Sequence, residues 1–599
     1  MDAEMTVDAH HPRPFLRRDW VSLDGEWDFR LDPEAASRLP DDVEFDAIIT
    51  VPFAPETPAS GIGPDMLDGD FVRACWYRRR LDLGEPAHDE RVIVHFGGVD
   101  RVADVWVVNG DGVHHVAHHV GGYTTFSADV TAHLGPDAQL IVRAVDDPLD
   151  LEVPRGKQDW NPVPHAIWYP PTTGIWKTVW AERVPSVRLV GLEWSADIDT
   201  MSVTMRATLA GARPADLRLN VRLEARGQVL VDDTITVTDA TVVRTFPVGD
   251  GGFDDRFTLV WWPASPTLIG AELTLTSDRE LDRVSSYTAL RSVEVSDGQL
   301  RLNGRPYPLR LVLDQGYWPD TGATPPNVEA LRHDIELTKQ LGFNGARKHQ
   351  KVEDIRYFTL ADQLGLLTWV EMPSAYKPGP STAATLLSEW TDIVDAHRNH
   401  PSVIAWVPIN ESWGVPACER DPRQRALIAA LRDAAAALDG TRPISANDGW
   451  ETVGGDIVGI HDYDQEPAVL AQRWGDGASV DAVLTGRRPD GKTADLDQQG
   501  ANGRVVILSE FGGIALATDT GGGERFGAAN WGYDDAGSPD ELLRRYRELW
   551  AVVHESTALA GGCWTQLTDT YQEVNGLLTM DRTPKAELAA IAAATRGLA

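Results

Sequence analysis

The chain has 599 residues, of which 42% are hydrophobic and 24% are charged, and this composition excludes a disordered or collagen-like protein. Its length exceeds what one hydrophobic core can organise, so about three or four domains are expected. With 90 acidic against 55 basic residues, the net charge of -35 argues against nucleic acid or an anionic membrane as a partner.

The N-terminal segment predicts neither secretion nor a membrane anchor. The residues before Trp20 contain no apolar core of a signal peptide, and no run of about 18 apolar residues follows anywhere in the chain. Cys75, Cys418 and Cys563 are too sparse for a disulfide framework and lack the spacing of zinc ligands. The cytoplasm is therefore the predicted location.

Short alternating runs at 91–98, 103–110 and 139–147, separated by glycine turns, predict a β-sandwich over residues 1–185. A second series of short strands, including 257–263, predicts an immunoglobulin-like sandwich over 186–293. One long loop, 158–176, is rich in proline, tryptophan and tyrosine, and such loops are often functional. We expect it to form one wall of a binding site.

From residue 294 to 599, apolar strand candidates alternate with helices. Val328, Leu331, Ile335 and Leu341 recur at helical spacing, and Gly342 ends that helix. Eight such strands, one of them 443–448, predict a (β/α)8 barrel. The expected fold class is thus a multidomain chain with an N-terminal jelly-roll sandwich, an immunoglobulin-like sandwich and a C-terminal TIM barrel.

Active sites of such barrels lie at the carboxyl ends of the strands. Polar or aromatic residues occupy nearly all of these ends: Asp314, Gln315, Arg347, Lys348, His349, Glu371, Asn410, Glu411, Asn447, Asp448, His461, Asp462, Tyr463, Glu510, Trp564 and Gln566. Glu411 and Glu510 follow the strands four and seven, on opposite sides of the mouth. Sugar acetals are hydrolysed by such a carboxylate pair. The alternative is that the glutamates pair with Arg347 or Lys348 in a structural network.

Three motifs carry a resemblance to a known family. HRNHPSVIAWVPINESWG at 397–414 resembles the acid/base segment of glycoside hydrolase family 2, and VVILSEFGG at 505–513 resembles its nucleophile strand. WVSLDGEWDFR at 20–30 is similar to the start of its jelly-roll domain. The resemblance covers nearly the whole chain and implies that Glu411 is the acid/base and Glu510 the nucleophile.

The resemblance also implies binding roles around the two glutamates. Asn410 would bond the hydroxyl beside the anomeric centre, Tyr463 would bond the nucleophile, and Trp564 would form the floor of the sugar site. Family members that cleave glucuronides carry an Asn-x-Lys element, but here Asn575 is followed by Gly576 and Leu577. Arg347 and Lys348 would remain to meet an acidic sugar. The other predicted substrate-binding residues are His349, Asp314, Gln315, Trp318, Trp413 and His461.

These features predict a retaining, exo-acting β-glycosidase of oligosaccharides or glycosides, with β-galactosidase as the default label. A catalytically silent carbohydrate-binding protein and an enzyme for a uronide or arabinoside stay open as alternatives. A metal-dependent hydrolase using His349, His461 and Asp462 is a further alternative. We expect no cofactor and no metal site, although some family members bind magnesium or sodium through ligands not traceable here, and a homo-oligomer stays open.

Overall fold

A computed structural model describes residue 11 and residues 15–63, 71–487, 491–517 and 529–598. The first part is a β-sandwich whose two main sheets have the strand orders β1-β12-β5-β9 and β3-β2-β4-β10-β7-β8. Their inward-facing residues form one apolar core. The strands are β1 Trp20–Ser22, β2 Gly25–Leu31, β3 Ala47–Val51, β4 Ala74–Arg80, β5 Glu90–Phe96, β6 Val99–Asp100, β7 Val102–Asn109, β8 Gly112–Val120, β9 Phe126–Asp129, β10 Gln139–Val145, β11 Gly174–Ile175 and β12 Val179–Pro185.

The second sandwich packs a three-stranded sheet, β13-β14-β17, on a four-stranded sheet, β16-β15-β18-β19. Its strands are β13 Arg188–Asp197, β14 Ser202–Ala210, β15 Arg218–Ala225, β16 Gln228–Thr236, β17 Thr241–Pro247, β18 Ile269–Thr276 and β19 Glu280–Thr288. The strand predicted at 257–263 is wrong, because helix α1 (Phe253–Leu259) occupies its first half. Acidic residues in the first turn of α1, Asp254 and Asp255, favour the helix start.

The barrel is a parallel sheet with the strand order β26-β25-β24-β23-β31-β28-β27. A small antiparallel sheet, β20-β21-β22, precedes it, and β29 pairs with β30. The strands are β20 Val293–Ser296, β21 Gln299–Leu302, β22 Arg305–Pro306, β23 Leu309–Asp314, β24 Gly345–Lys348, β25 Leu367–Glu371, β26 Val403–Val407, β27 Ile457–His461, β28 Val505–Gly512, β29 Ile514–Ala515, β30 Asp534–Asp535 and β31 Gly561–Thr565.

The predicted fifth barrel strand, 443–448, is not a regular strand in the structure. Two isolated parallel bridges, Trp406 to Ile444 and Asn410 to Asp448, join it to β26 and its extension. On its other side the Ile457 amide donates to the Ile444 carbonyl at 3.2 Å. The segment therefore closes the barrel between β26 and β27 without a continuous ladder.

Helices lie outside the sheet and begin at recognisable caps. In α2 the Asn327 side chain accepts from the Ala330 amide, and Val328, Leu331 and Ile335 form the buried face, as the spacing predicts. The helices are α2 Val328–Gln340, α3 Ile355–Leu364, α4 Pro380–His397, α5 Pro422–Leu438, α6 Pro467–Trp474, α7 Gly477–Thr485, α8 Pro539–Glu555 and α9 Leu588–Thr595. No described helix is long and apolar enough to cross a membrane.

Alternation along the barrel strands separates two apolar layers. One set of side chains fills the barrel interior: Leu311, Leu313, Trp369, Val407, Ile507 and Cys563. The alternate set packs outward against the helices: Val312, Val370, Trp406, Val458, Val506 and Trp564. Both layers exclude water, so the carboxyl ends of the strands are where polar side chains collect. The domain boundaries at 185 and 293 stay predictions.

Candidate active site

Arg347, at the end of β24, is the centre of the polar cluster in the barrel mouth. Its buried guanidinium lies 2.9 Å from Glu371, 2.8 Å from Glu510, 2.6 Å from Asn410 and 3.2 Å from Asp448. Burial opposes the charge, but these acceptors outweigh it and hold the pKa of Arg347 well above its usual value. Its donors are engaged by protein groups, so Arg347 positions Glu510 and Asn410, and a direct contact of Arg347 with substrate stays a prediction.

Glu510 has its two oxygens oriented by different partners. Oε1 accepts from Arg347, and Oε2 accepts from the Tyr463 hydroxyl at 2.5 Å. The same hydroxyl lies 3.2 Å from the Thr565 side chain. The glutamate is thus held in one orientation at the end of β28, with the Tyr463 contact that the sequence predicts.

Glu411 faces Glu510 from an unusual backbone turn. Its φ is +53° and that of Ser412 is +57°, and the Asn447 side chain holds the turn by accepting from the Ser412 amide at 2.9 Å. Left-handed conformations at such residues concentrate in functional sites. The turn directs Glu411 to the mouth, where its Oε2 accepts from the Trp413 indole at 3.2 Å.

His461 lies between the two glutamates. Its Nδ1 is 2.7 Å from Glu411 Oε1, and its Nε2 is 3.1 Å from Asp448 and 3.3 Å from Glu510. Burial lowers the pKa of His461, but these carboxylates outweigh burial and raise it to about 9. Burial raises the pKa of Glu411, yet the hydrogen bond and charge of His461 bring it below its usual value. Gly449 makes room for the imidazole, since a Cβ there would lie 2.4 Å from the His461 ring.

The two carboxylates are close together. One side-chain oxygen of Glu411, one of Glu510 and one ring nitrogen of His461 all lie within 4.8 Å of one another. Among the described residues, this is the one cluster of histidine, cysteine or acidic side chains whose spacing could hold a metal ion. The alternative set of His349, His461 and Asp462 is not assembled, because Asp462 pairs with Arg473 at 2.9 Å and accepts from the Trp474 indole at 2.8 Å.

Other predicted residues lie beside the mouth. The Asp314 carboxylate accepts from Lys348 at 2.7 Å and from the Gly316 amide at 2.9 Å, so it supports Lys348 and is not left for the glycone. Gln315 donates to Gln566 at 2.9 Å, while its Oε1 has no hydrogen-bond partner among the described residues. Burial keeps the pKa of His349 well below its usual value, so its imidazole is neutral.

Trp564 is placed away from the mouth. Its ring is fully buried and packs edge-on against Phe511 and Tyr546, with centroids 5.2 and 4.5 Å away, in the layer between barrel and helices. The prediction that it forms the floor of the sugar site is wrong. Thr565, the next residue of β31, is the one that reaches Tyr463. Trp318 packs under the Arg582 guanidinium, 4.7 Å from the ring centroid.

Comparison with known proteins identifies the barrel. Residues 293–466 match the family model described as "Glycosyl hydrolases family 2, TIM barrel domain". The barrel of this chain is therefore similar in sequence to the TIM barrel domain of glycosyl hydrolases family 2. The resemblance stated from the sequence motifs is thereby confirmed.

Family 2 relatives carry several activity names. A beta-galactosidase from Thermoanaerobacter pseudethanolicus is 28% identical over 353 residues, which are 57% of this chain and 45% of the relative. A putative beta-glucuronidase from Formosa agariphila is 27% identical over 408 residues, 66% of this chain and 47% of the relative. The chain spans about half the length of these curated relatives.

Two solved structures share the fold of nearly all of this chain. A GH2 beta-galacturonidase from Eisenbergiella tayi, bound to galacturonate, superposes with a TM-score of 0.72 at 18% identity and covers 99% of both chains. A Bacteroides uniformis beta-glucuronidase has a TM-score of 0.71 at 22% identity, covering 95% of this chain and 68% of its own. These likenesses confirm the predicted fold class of two β-sandwiches followed by a TIM barrel.

An aromatic wall from the first sandwich completes the mouth of this family 2 barrel. The ring centroid of Trp168 is 5.9 Å from that of Tyr376 and 6.1 Å from that of Trp413. Tyr169 donates to Glu573, which follows the last barrel strand. The predicted approach of loop 158–176 to the barrel is confirmed, while the sequence prediction missed Tyr376 and Glu573, which follow no motif.

Proposed function

We propose that the protein is a retaining, exo-acting β-glycosidase with Glu510 as nucleophile and Glu411 as general acid/base. The observation that carries this proposal is the spacing of the two carboxylates, whose nearest oxygens lie within 4.8 Å. Retaining enzymes keep the pair about 5–5.5 Å apart, whereas inverting enzymes need about 6.5–9.5 Å for a water molecule.

In the first step, Glu510 attacks the anomeric carbon while Glu411 protonates the departing glycosidic oxygen. The Glu510–carbon bond forms as the carbon–oxygen bond breaks. In the second step, Glu411 removes a proton from water, and this water displaces Glu510. The proton held between Glu411 and His461 at 2.7 Å supplies the acid, and the Tyr463 hydrogen bond to Glu510 orients the attacking carboxylate.

Asn410 remains a proposed contact for the hydroxyl beside the anomeric carbon. Its Oδ1 is fixed by Arg347 at 2.6 Å, which leaves its amide protons for a ligand. Exo action is proposed because the Trp168 wall and Trp413 limit the mouth on one side. The default glycone is a β-galactoside, and a uronide or an arabinoside stays the alternative, since the relatives include enzymes named for galactosides and glucuronides.

A catalytically silent carbohydrate-binding protein is the second candidate. The joint presence of Glu411, Glu510 and their bonded partners His461 and Tyr463 favours an enzyme, because a binding protein has no need for this costly cluster of buried charges. A cytoplasmic location and a homo-oligomeric state stay proposals.

A panel of aryl β-glycosides tests the proposal, with galactoside, glucoside, mannoside, glucuronide, galacturonide and arabinoside in parallel. Glu510→Ala is expected to lose about 3 kcal/mol or more of transition-state stabilisation, which is over 100-fold in kcat/KM. Glu555→Ala, at an exposed glutamate of α8, is the matched control. Proton NMR of the first sugar released should show the β-anomer, and release of the α-anomer contradicts retention. If no glycoside of the panel is hydrolysed, the result supports the catalytically silent carbohydrate-binding protein.

A further inference from the structure

The backbone around Lys157, in the loop that follows the first sandwich strands, is held against the barrel. The amides of Arg155 and Gly156 both donate to the Ser374 carbonyl, at 2.9 and 3.1 Å. The Lys157 carbonyl accepts from the Tyr169 amide at 2.8 Å. At Gly156, where φ is +60°, an added Cβ would lie 2.0 Å from the Gln350 carbonyl oxygen, so the chain contacts the barrel as closely as glycine permits.

The Lys157 side chain is buried but unpaired. It is only 7% exposed, and within the described ranges it makes no hydrogen bond or ion pair through its ammonium group. The neighbouring cations differ, because Arg347 is bonded to Glu510 at 2.8 Å and Lys348 to Asp314 at 2.7 Å. An ammonium group without a protein partner is available to form a charge-assisted hydrogen bond with an anionic group of a ligand.

The charge of Lys157 acts on the groups that line the mouth. Burial raises the pKa of Glu573, and Lys157 is the largest influence that opposes this rise. After burial, Lys157 is also the largest influence lowering the pKa of His349, and it acts in the same direction on Glu411. Lys157 is therefore near enough to Glu573, His349 and Glu411 for its charge to act on all three.

We propose that Lys157 binds a carboxylate on the glycone, which makes uronides the preferred substrate class of this site. The inference rests on the proposed glycosidase function. A neutral sugar offers the Lys157 ammonium no charged partner, whereas a carboxylate on the glycone can pair with it directly. The Asn575-Gly576-Leu577 stretch supplies no lysine, so here the cation comes from the other domain.

The alternative is that Lys157 only balances the charges of Glu411 and Glu573. That role would affect every glycoside equally, since both glutamates are present whichever sugar is bound. Recognition of the substrate carboxylate would affect uronides selectively. The ratio of kcat/KM for a uronide to kcat/KM for the matching neutral glycoside separates the two roles, because losses common to both substrates cancel.

The test compares 4-nitrophenyl β-galacturonide with β-galactoside and β-glucuronide with β-glucoside in the full chain. The wild-type protein is expected to prefer the uronide of at least one pair, and Lys157→Gln should reduce that preference by about 10- to 100-fold. Lys377→Gln, at an exposed lysine of the neighbouring loop, should leave the ratio unchanged. An unchanged ratio in Lys157→Gln, or a wild-type preference for both neutral sugars, overturns the inference.

Binding is measured separately from hydrolysis, so that the carboxylate site can be tested even if the protein hydrolyses no glycoside. In Glu510→Ala, free galacturonate or glucuronate should raise Tm more than galactose or glucose does, and Lys157→Gln added to this variant should abolish the difference. Uronate binding without hydrolysis would refute the glycosidase and keep the carboxylate site. Equal shifts with charged and neutral sugars would refute the carboxylate site.

Discussion

Replacing His461 by glutamine tests how the candidate catalytic groups share a proton. His461 lies 2.7 Å from Glu411 and 3.3 Å from Glu510. Burial disfavours its charge, but the neighbouring carboxylates outweigh burial and raise the pKa of His461 to about 9. Because the pKa of Glu411 is lowered by the same contact, the two residues titrate as a pair that holds one proton across neutral pH.

The basic limb of the kcat/KM profile is expected to report loss of that last proton, near pH 9 in the wild-type protein. Glutamine cannot carry the proton, so in His461→Gln the limb reports Glu411 alone. The limb should therefore move to lower pH, because the carboxyl group of Glu411 alone holds the proton. Each pH unit of that shift corresponds to about 1.4 kcal/mol in the affinity of the site for its proton.

The assay measures kcat/KM from about pH 4 to about pH 10 with the best 4-nitrophenyl glycoside of the panel. A 2,4-dinitrophenyl glycoside is the control, because its better leaving group needs less protonation and its profile should respond less to the substitution. Circular dichroism establishes that the variant is folded. A basic limb that stays in place or moves to higher pH would refute the shared proton.

Three further predictions concern the same cluster. Arg347→Met should destabilise the fold by about 3–5 kcal/mol in chemical denaturation, because it removes the counter-charge of Glu371, Asp448 and Glu510; a loss below about 1 kcal/mol contradicts this. Tyr463→Phe should lower kcat by about 10- to 100-fold at an unchanged Tm, since it removes the hydrogen bond to Glu510, and full activity contradicts that role. Dialysis against a chelator should leave activity intact, and a loss restored by added Mg²⁺ or Zn²⁺ would contradict a metal-independent reaction.

The carboxylate pair could be predicted from sequence because parallel strands deliver their carboxyl ends to one face. Apolar runs followed by Asn410-Glu411 and by Glu510 were sufficient to place both groups at the mouth. Trp564 shows the limit of that reasoning. Successive residues of a strand point to opposite faces of the sheet. The sequence prediction assigned the mouth to Trp564, but this side chain packs against the helices, and the next residue, Thr565, contacts the site.

The partners of the charged groups could not be predicted from sequence. Arg347 is engaged because acceptors from three other strand ends and from segment 443–448 converge on it, and this depends on closure of the barrel. The irregular fifth segment also escapes pattern reasoning, since its contacts are single bridges and not a ladder. Lys157 carries no local motif, and its position follows from how the Gly156 backbone packs on Gln350.

The proposed catalytic residues and the proposed substrate-selecting residues lie in different parts of the chain. Glu411 and Glu510 are held wholly by barrel residues, whereas Lys157 and Trp168 belong to a loop anchored on the carbonyl of Ser374. If Lys157 binds the substrate carboxylate as proposed, a change in that loop alters which sugars are accepted while Glu411 and Glu510 keep their barrel contacts. In evolutionary terms, the same catalytic barrel can then act on different sugars when the first sandwich supplies a different loop.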